Sequence, residues 1–227
     1  YMALTCTQMI AEVKEALGRT GDTTVLTDAR VNRWLNEAQR IITKECPGLL
    51  GLDVSDTTIT MVTDTFEYDF PTTKEVCHPI ALFVIDGTNS YRLKYLPKDE
   101  FDIDYLDMSS SDVANGKPEC WTQKNYKIHI GPKPSSDYNT KSLRFDYTAY
   151  PDDIATTDTS DLTDADEGLL MYAEYKGWKF LKLDQRAAVK YMELFGPNYE
   201  NGDLGGWLGQ YKRHNDLMLA WDGNLYD

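Results

Sequence analysis

The densest set of groups that could bind a cation is Asp99, Glu100, Asp102, Asp104 and Asp107. A calcium loop needs oxygen ligands at graded spacing around a glycine that makes the sharp turn, and this run has no such glycine. Placed just after Pro97, it reads instead as the solvated face of a short, acid-capped helix. Asp161, Asp164, Asp166 and Glu167 stand upstream of a helix expected to start near Gly168, where carboxylates complement the positive end of the helix dipole. The three histidines, His78, His129 and His214, are far apart in the chain. His129 falls in an expected strand and reads as a partly exposed sheet residue. Cys6, Cys46, Cys77 and Cys120 show none of the short C-x2-C spacing of zinc and redox motifs. Scattered cysteines, with no N-x-S/T sequon, read as reduced thiols of an intracellular protein. No Walker loop, H-E-x-x-H, G-x-S-x-G or G-x-G-x-x-G occurs. No catalytic residue, metal or cofactor is expected. A carboxylate-dependent hydrolase needs two acids facing each other across a cleft. Among 37 acids some pair will stand so by chance, which makes this the weakest reading.

A second chemistry is adhesion. Trp207, Leu208, Tyr211, Met218, Leu219, Trp221, Leu225 and Tyr226 crowd the C-terminal end, and Gly202, Gly205, Gly206 and Gly209 precede or interrupt them. Four glycines so close together make a poor helix and a good hinge. The aromatic segment either packs back on its own core or projects and is buried by another chain, because Tyr and Trp dominate binding hot spots. The hinge tips the expectation toward projection.

These residues must be held by elements whose order is legible. Residues 1–48 carry two helical stripes. The first contains Met9, Ile10, Val13, Ala16 and Leu17 behind an expected cap at Thr7. The second contains Val31, Trp34, Leu35, Ala38, Ile41 and Ile42 behind Thr27. Residues 49–150 alternate in the strand period. The expected strands are Thr57–Thr63 and Thr65–Phe70 turning at Asp64, Pro79–Ile85 turning at Asp86 in a loop longer than two residues, Tyr91–Leu96, Glu119–Gln123, Tyr126–Ile130 and Leu143–Tyr150. A short helix is expected over Lys98–Leu106. Residues 151–168 form an acidic connection, and the helical period returns over 169–227. The predicted fold is α+β, with a helical bundle built from the N- and C-terminal helices and an antiparallel β region, sheet or small sandwich, inserted between them.

The formal net charge of −14 is uneven: positions 151–168 carry seven acids and no base, half of the total. An acidic chain without a basic stripe is a poor duplex binder. No apolar run is long enough to span a bilayer, and no basic-then-apolar opening suggests a secretory signal.

Several segments, in order, resemble one family. Val31-Asn-Arg-Trp-Leu-Asn-Glu-Ala-Gln-Arg-Ile-Ile42 is similar to its second helix. Thr58-Ile-Thr-Met-Val-Thr63 followed by Phe66-Glu-Tyr-Asp-Phe-Pro71 resembles its paired strands. Gly116-Lys-Pro118 leading into Tyr126-Lys-Ile-His-Ile-Gly-Pro-Lys-Pro134 resembles its Gly-x-Pro, strand and Pro-x-Pro series, and Leu143-Arg-Phe-Asp-Tyr-Thr-Ala-Tyr-Pro151 its closing strand. The family is the head-to-tail adaptors, or neck connectors, of tailed bacteriophages, and the resemblance covers roughly residues 5–195. It implies a non-catalytic virion protein assembled in the host cytoplasm. It also implies a cyclic homo-oligomer, usually a dodecamer, that meets the portal protein on one side and tail or nozzle proteins on the other. Duplex DNA would pass through transiently, with no membrane involved. On that reading the C-terminal aromatics are portal-interface candidates and the Asp99–Asp107 acids are candidates to face the channel. The alternative is a tail or baseplate protein with a carbohydrate-contacting β region.

Overall fold

The computed structural model describes residues 3–46, 51–87, 89–105 and 115–223, with the side chains at 215 and 217–223 outside that description. Its elements run α1 (Cys6–Ala16), α2 (Asp28–Glu45), β1 (Asp53–Thr60), β2 (Glu67–Asp69), β3 (Val76–Asp86), β4 (Asn89–Arg92), β5 (Lys94–Tyr95), α3 (Lys98–Tyr105), β6 (Cys120–Lys124), β7 (Lys127–Gly131), β8 (Ser142–Ala149), α4 (Asp166–Phe180), α5 (Asp184–Phe195) and α6 (Gly206–Gly223). The class is α+β, with helices at both ends and strands between them. The chain divides into two compact units, one built from Tyr1–Leu52 with Tyr150–Asp227, the other from Asp53–Ala149.

In the helical unit, α1 opens at Thr5 rather than at the expected Thr7. Thr5 Oγ1 accepts from the Gln8 amide while Gln8 Oε1 accepts from the Thr5 amide at 2.9 Å, a capping box that satisfies two donors at once. Thr7 lies inside the helix and donates its hydroxyl to the Thr156 carbonyl at 2.7 Å. Thr27 caps α2 as its sequence position implies. The α2 stripe is buried at Val31, Trp34, Leu35, Ala38 and Ile42 and half-buried at Ile41. Between α1 and α2, the buried Lys14 donates to the Asp22 carbonyl at 2.7 Å and pairs with Asp28. Glu37 ties α2 to α4, accepting from the Tyr172 hydroxyl at 2.6 Å and the Lys176 ammonium at 2.7 Å. The acidic stretch before α4 is anchored and not slack. Gln39 donates to the Asp152 carbonyl and accepts from Ser160, Asn36 accepts from the Ile154 amide, and Ile154 and Leu162 are buried in the unit's core.

The β unit is a sandwich of two four-stranded sheets, ordered β1-β8-β3-β4 and β2-β7-β6-β5. Alternation on β8 drives it: Leu143, Phe145 and Tyr147 are all buried, and between them Arg144 and Asp146 are not. Phe145 meets Trp121 of the other sheet edge-on at 5.9 Å and stacks on Phe70 at 5.5 Å. The two segments expected to pair across Asp64 do not pair with each other. Asp64 is a turn residue, at φ 64°, but it passes the chain from one sheet to the other, so β1 pairs with β8 and β2 with β7. Tyr91–Leu96 is likewise split, β4 adding to β3 and β5 to β6. The β5–β6 pairing is parallel, so the region is not wholly antiparallel. The β3–β4 hairpin is tighter than expected, since Asp86 pairs with Asn89 and leaves positions 87 and 88 between them. Pro79 sits within β3, a central strand, where the β3–β8 register shifts around it, as a residue without an amide hydrogen requires. β1 and β8, which open and close this unit, are neighbours from Asp53↔Thr148 onward, so the unit begins and ends at one place.

Candidate functional site

The C-terminal aromatics fall into two groups. Trp207, Leu208 and Tyr211 lie on the first turns of α6 and pack on their own unit. Leu208 is 0% exposed. The Tyr211 hydroxyl donates to the Thr163 carbonyl at 2.8 Å, and the Trp207 indole donates to Glu167 at 3.2 Å. The two rings stack at 4.8 Å. Gly168 on α4 makes room for them, because a Cβ there would lie 2.1 Å from the Trp207 ring. The expected projection is therefore corrected for Leu208 and Tyr211, which are buried within the subunit, while Trp207 is half-buried against the same core. Met218, Leu219 and Trp221 continue α6, with their side chains outside the description, and Leu225 and Tyr226 lie outside the described residues.

The glycines before them do not make a poor helix. α6 begins at Gly206 and carries Gly209. Gly205 donates to the Phe195 carbonyl at 2.9 Å, and the end of α5 crosses so closely that a Cβ on Gly206 would lie 2.5 Å from the Glu193 carbonyl oxygen. Gly206 also has φ 56°. A Cβ on Gly209 would lie 2.4 Å from the Leu204 carbonyl oxygen. These three glycines answer a packing demand. Gly202, at φ 85° with open space around it, is the turn residue of the set.

Beside α4 the helical unit has a groove of about 1040 Å³ that sequence spacing did not reveal. Leu4, Leu170 and Met171 supply apolar surface, and Glu12, Asp161, Asp164, Asp166 and Glu167 line it with carboxylates. Asp166 accepts from the Leu4 amide at 2.7 Å. The one basic lining residue, Lys190 of α5, is held by Glu174 at 3.0 Å and Glu193 at 3.1 Å. Chain segments far apart in sequence meet here, which is why no local motif announces the groove.

In the β unit α3 turns Phe101 inward and leaves Asp99, Glu100 and Asp104 exposed. Asp102 pairs with Lys124 at 3.3 Å, and Asp107 lies outside the described residues. Among the described residues no three His, Cys, Asp or Glu side chains are grouped to hold a metal ion. His129 is buried, correcting the partly exposed placement. Its ring lies 5.6 Å from Phe66, and burial pushes its pKa down against the opposing pull of Glu67. Among the described residues of the unit, the most open apolar side chains are Ile103 on α3 and Tyr126 at the β6–β7 turn.

Among the described residues, the carboxylates whose pKa the fold displaces (Asp22, Glu37, Asp56, Asp64 and Glu67) are displaced downward. Glu37 is the instructive case: burial pushes it up, and the hydrogen bonds from Lys176 and Tyr172 outweigh burial. No helix among the described residues is long and apolar enough to cross a membrane.

Residues 4–206 match the family model described as SU10 adaptor protein, a span that takes in both units and stops where α6 begins. No curated protein matches the chain.

Proposed function

The chain belongs to the SU10 adaptor family, which makes it a bacteriophage structural adaptor and a virion component, and from that premise we propose that it forms the neck ring beneath the portal. In this reading, copies close into a cyclic homo-oligomer, a dodecamer, between the portal protein and the tail or nozzle proteins. Capsid and tail are thereby joined, and duplex DNA passes through the lumen. Assembly takes place in the host cytoplasm.

The observation that carries the reading is the family match across both units. Two physical features support it. A ring needs two different surfaces on every copy, and the helical and β units give each copy distinct faces. A lumen that DNA must traverse should repel phosphate. The exposed acids Asp99, Glu100 and Asp104 of α3, with Asp102 and Asp107, are the candidates to face it. Portal docking falls to Met218, Leu219, Trp221, Leu225 and Tyr226, with the open side of the half-buried Trp207, since Leu208 and Tyr211 are buried in the subunit.

The test is genetic and visual. A phage whose copy of this chain is interrupted early should accumulate heads without tails, and purified protein added to those heads should restore tail attachment. Normal tailed particles from the interrupted phage would overturn the proposal.

A further inference from the structure

The corner between α4 and α5 bears an apolar face that its own unit leaves uncovered. Leu183, Val189 and Met192 are 45%, 51% and 50% exposed, whereas Phe180 turns toward α2, where the Arg30 guanidinium lies 4.2 Å over its ring and the Trp34 ring 6.0 Å away. On α5, Val189 and Met192 stand on the side away from the buried Ala187 and Leu194, at a spacing that places them on one stripe. Lys179, Lys182 and Arg186, all exposed, flank the stripe, against two acids, Asp184 and Glu193, of which Glu193 stands one turn after Val189 and is held by Lys190. Arg186 lies 4.7 Å over the Trp178 ring and Lys179 lies 5.7 Å over that of Tyr175. Among the described residues none of the three bases has a carboxylate within ion-pair distance. The groove beside α4 has the opposite character: apolar surface from Leu4, Leu170 and Met171 within a setting of carboxylates.

We infer that the apolar, basic α4–α5 face of one copy docks in the acidic groove of a second copy. Both partners of this contact are on every chain. The contact cannot be made within one chain, because α5 itself walls the groove through Lys190 and its Val189–Met192 stripe is on the outer side of the same helix. Opposite charge sets the pairing and its orientation. The apolar patches supply surface whose removal from water favours association. Because the two faces differ, the contact is head-to-tail and generates a ring if the rotation closes. The inference rests on the ring reading for that closure.

Two charge reversals test it on the full chain by mass photometry and sedimentation velocity. Lys182→Glu with Arg186→Glu reverses the donor face, and Glu12→Lys with Asp161→Lys reverses the groove. All four side chains are exposed, but Arg186 lies over Trp178 and Asp161 accepts from the Asp152 amide at 3.3 Å, so the melting temperature of each variant is recorded and association is compared well below it. Each variant alone should associate roughly tenfold or more weakly than wild type, because like charges then face each other. An equimolar mixture should associate again, since reversed donors meet reversed grooves and the remaining junctions are unchanged on both sides. The same series is run on portal rings from the phage. Variants that associate like wild type in both settings, or a mixture that does not recover, overturn the docking surface. If they nonetheless bind the portal, the adaptor reading stands. A wild-type chain that self-associates, with variants behaving as expected, but that never binds the portal keeps the docking surface and removes the neck assignment. Absence of association in both settings overturns both.

Discussion

Leu208→Ala separates a core role for the start of α6 from a docking role. Leu208 is wholly buried, among residues of its own helical unit. The substitution deletes three carbons, roughly three methylene equivalents at ~0.8 kcal/mol each. The cavity left behind raises the cost to about 3 kcal/mol, inside the ~2–5 kcal/mol range of leucine truncations in cores. For a cooperative unfolding of the 227-residue chain that corresponds to a fall in Tm of about 6–12 °C. Tyr211→Phe, which removes only the hydroxyl bonded to the Thr163 carbonyl, should cost about 1 kcal/mol. Circular dichroism melts on the purified full chain measure both. If Leu208→Ala melts within a degree or so of wild type and yet loses portal capture, the first turns of α6 are a docking element and the packing account given above is wrong.

Three further substitutions probe the same unit. Gly168→Ala gains about 1 kcal/mol of helix propensity but drives a Cβ to 2.1 Å from the Trp207 ring. The ring should swing off Tyr211, with a shift in tryptophan emission that is absent when Trp207→Phe is the background. Lys14→Met keeps the buried stem but leaves the Asp22 carbonyl and Asp28 without their ammonium. The loss should be about 1–2 kcal/mol by urea denaturation, held down because Asp28 is solvent-screened. Asp22 accepts from the Val25 and Thr24 amides, which hold its pKa down at about 2, against ~3.9 for an unfolded aspartate. Its stabilisation is complete above the unfolded value and is lost as pH falls through the window between the two, where the unfolded chain takes up the proton first. Asp22→Asn should therefore melt below wild type at neutral pH and converge on it near pH 2; a constant offset across that window would contradict the assignment.

The helical elements were legible because each carries its own period and caps. Thr27 before Val31, Trp34 and Leu35 is a signal contained within a few residues. The cap of α1 lies two positions before Thr7, at Thr5, which stands at capping-box spacing from Gln8. Strand positions were legible and strand partners were not. Asp64 and Asp86 both mark turns, but only Asp86 closes a hairpin, and nothing local distinguishes the chain that crosses to the other sheet at Asp64 from one that folds back. The start of α6 escapes a local reading for a related reason. Aromatics after glycines suggest a free end when read alone, and their burial depends on Gly168, some forty residues earlier, and on a crossing of α5. A small residue such as Gly168 opposite a bulky one was the available clue. The acidic groove had no linear signature, being assembled from α1, the connection before α4, α4 and α5.

The most direct test of the neck assignment is the mass of the purified chain alone and after mixing with portal rings from its phage. A portal-bound species is expected whose added mass is a whole cyclic set of subunits, sharp in its distribution. A mixture that shows only free chain and free portal, at concentrations where both are native, would contradict it.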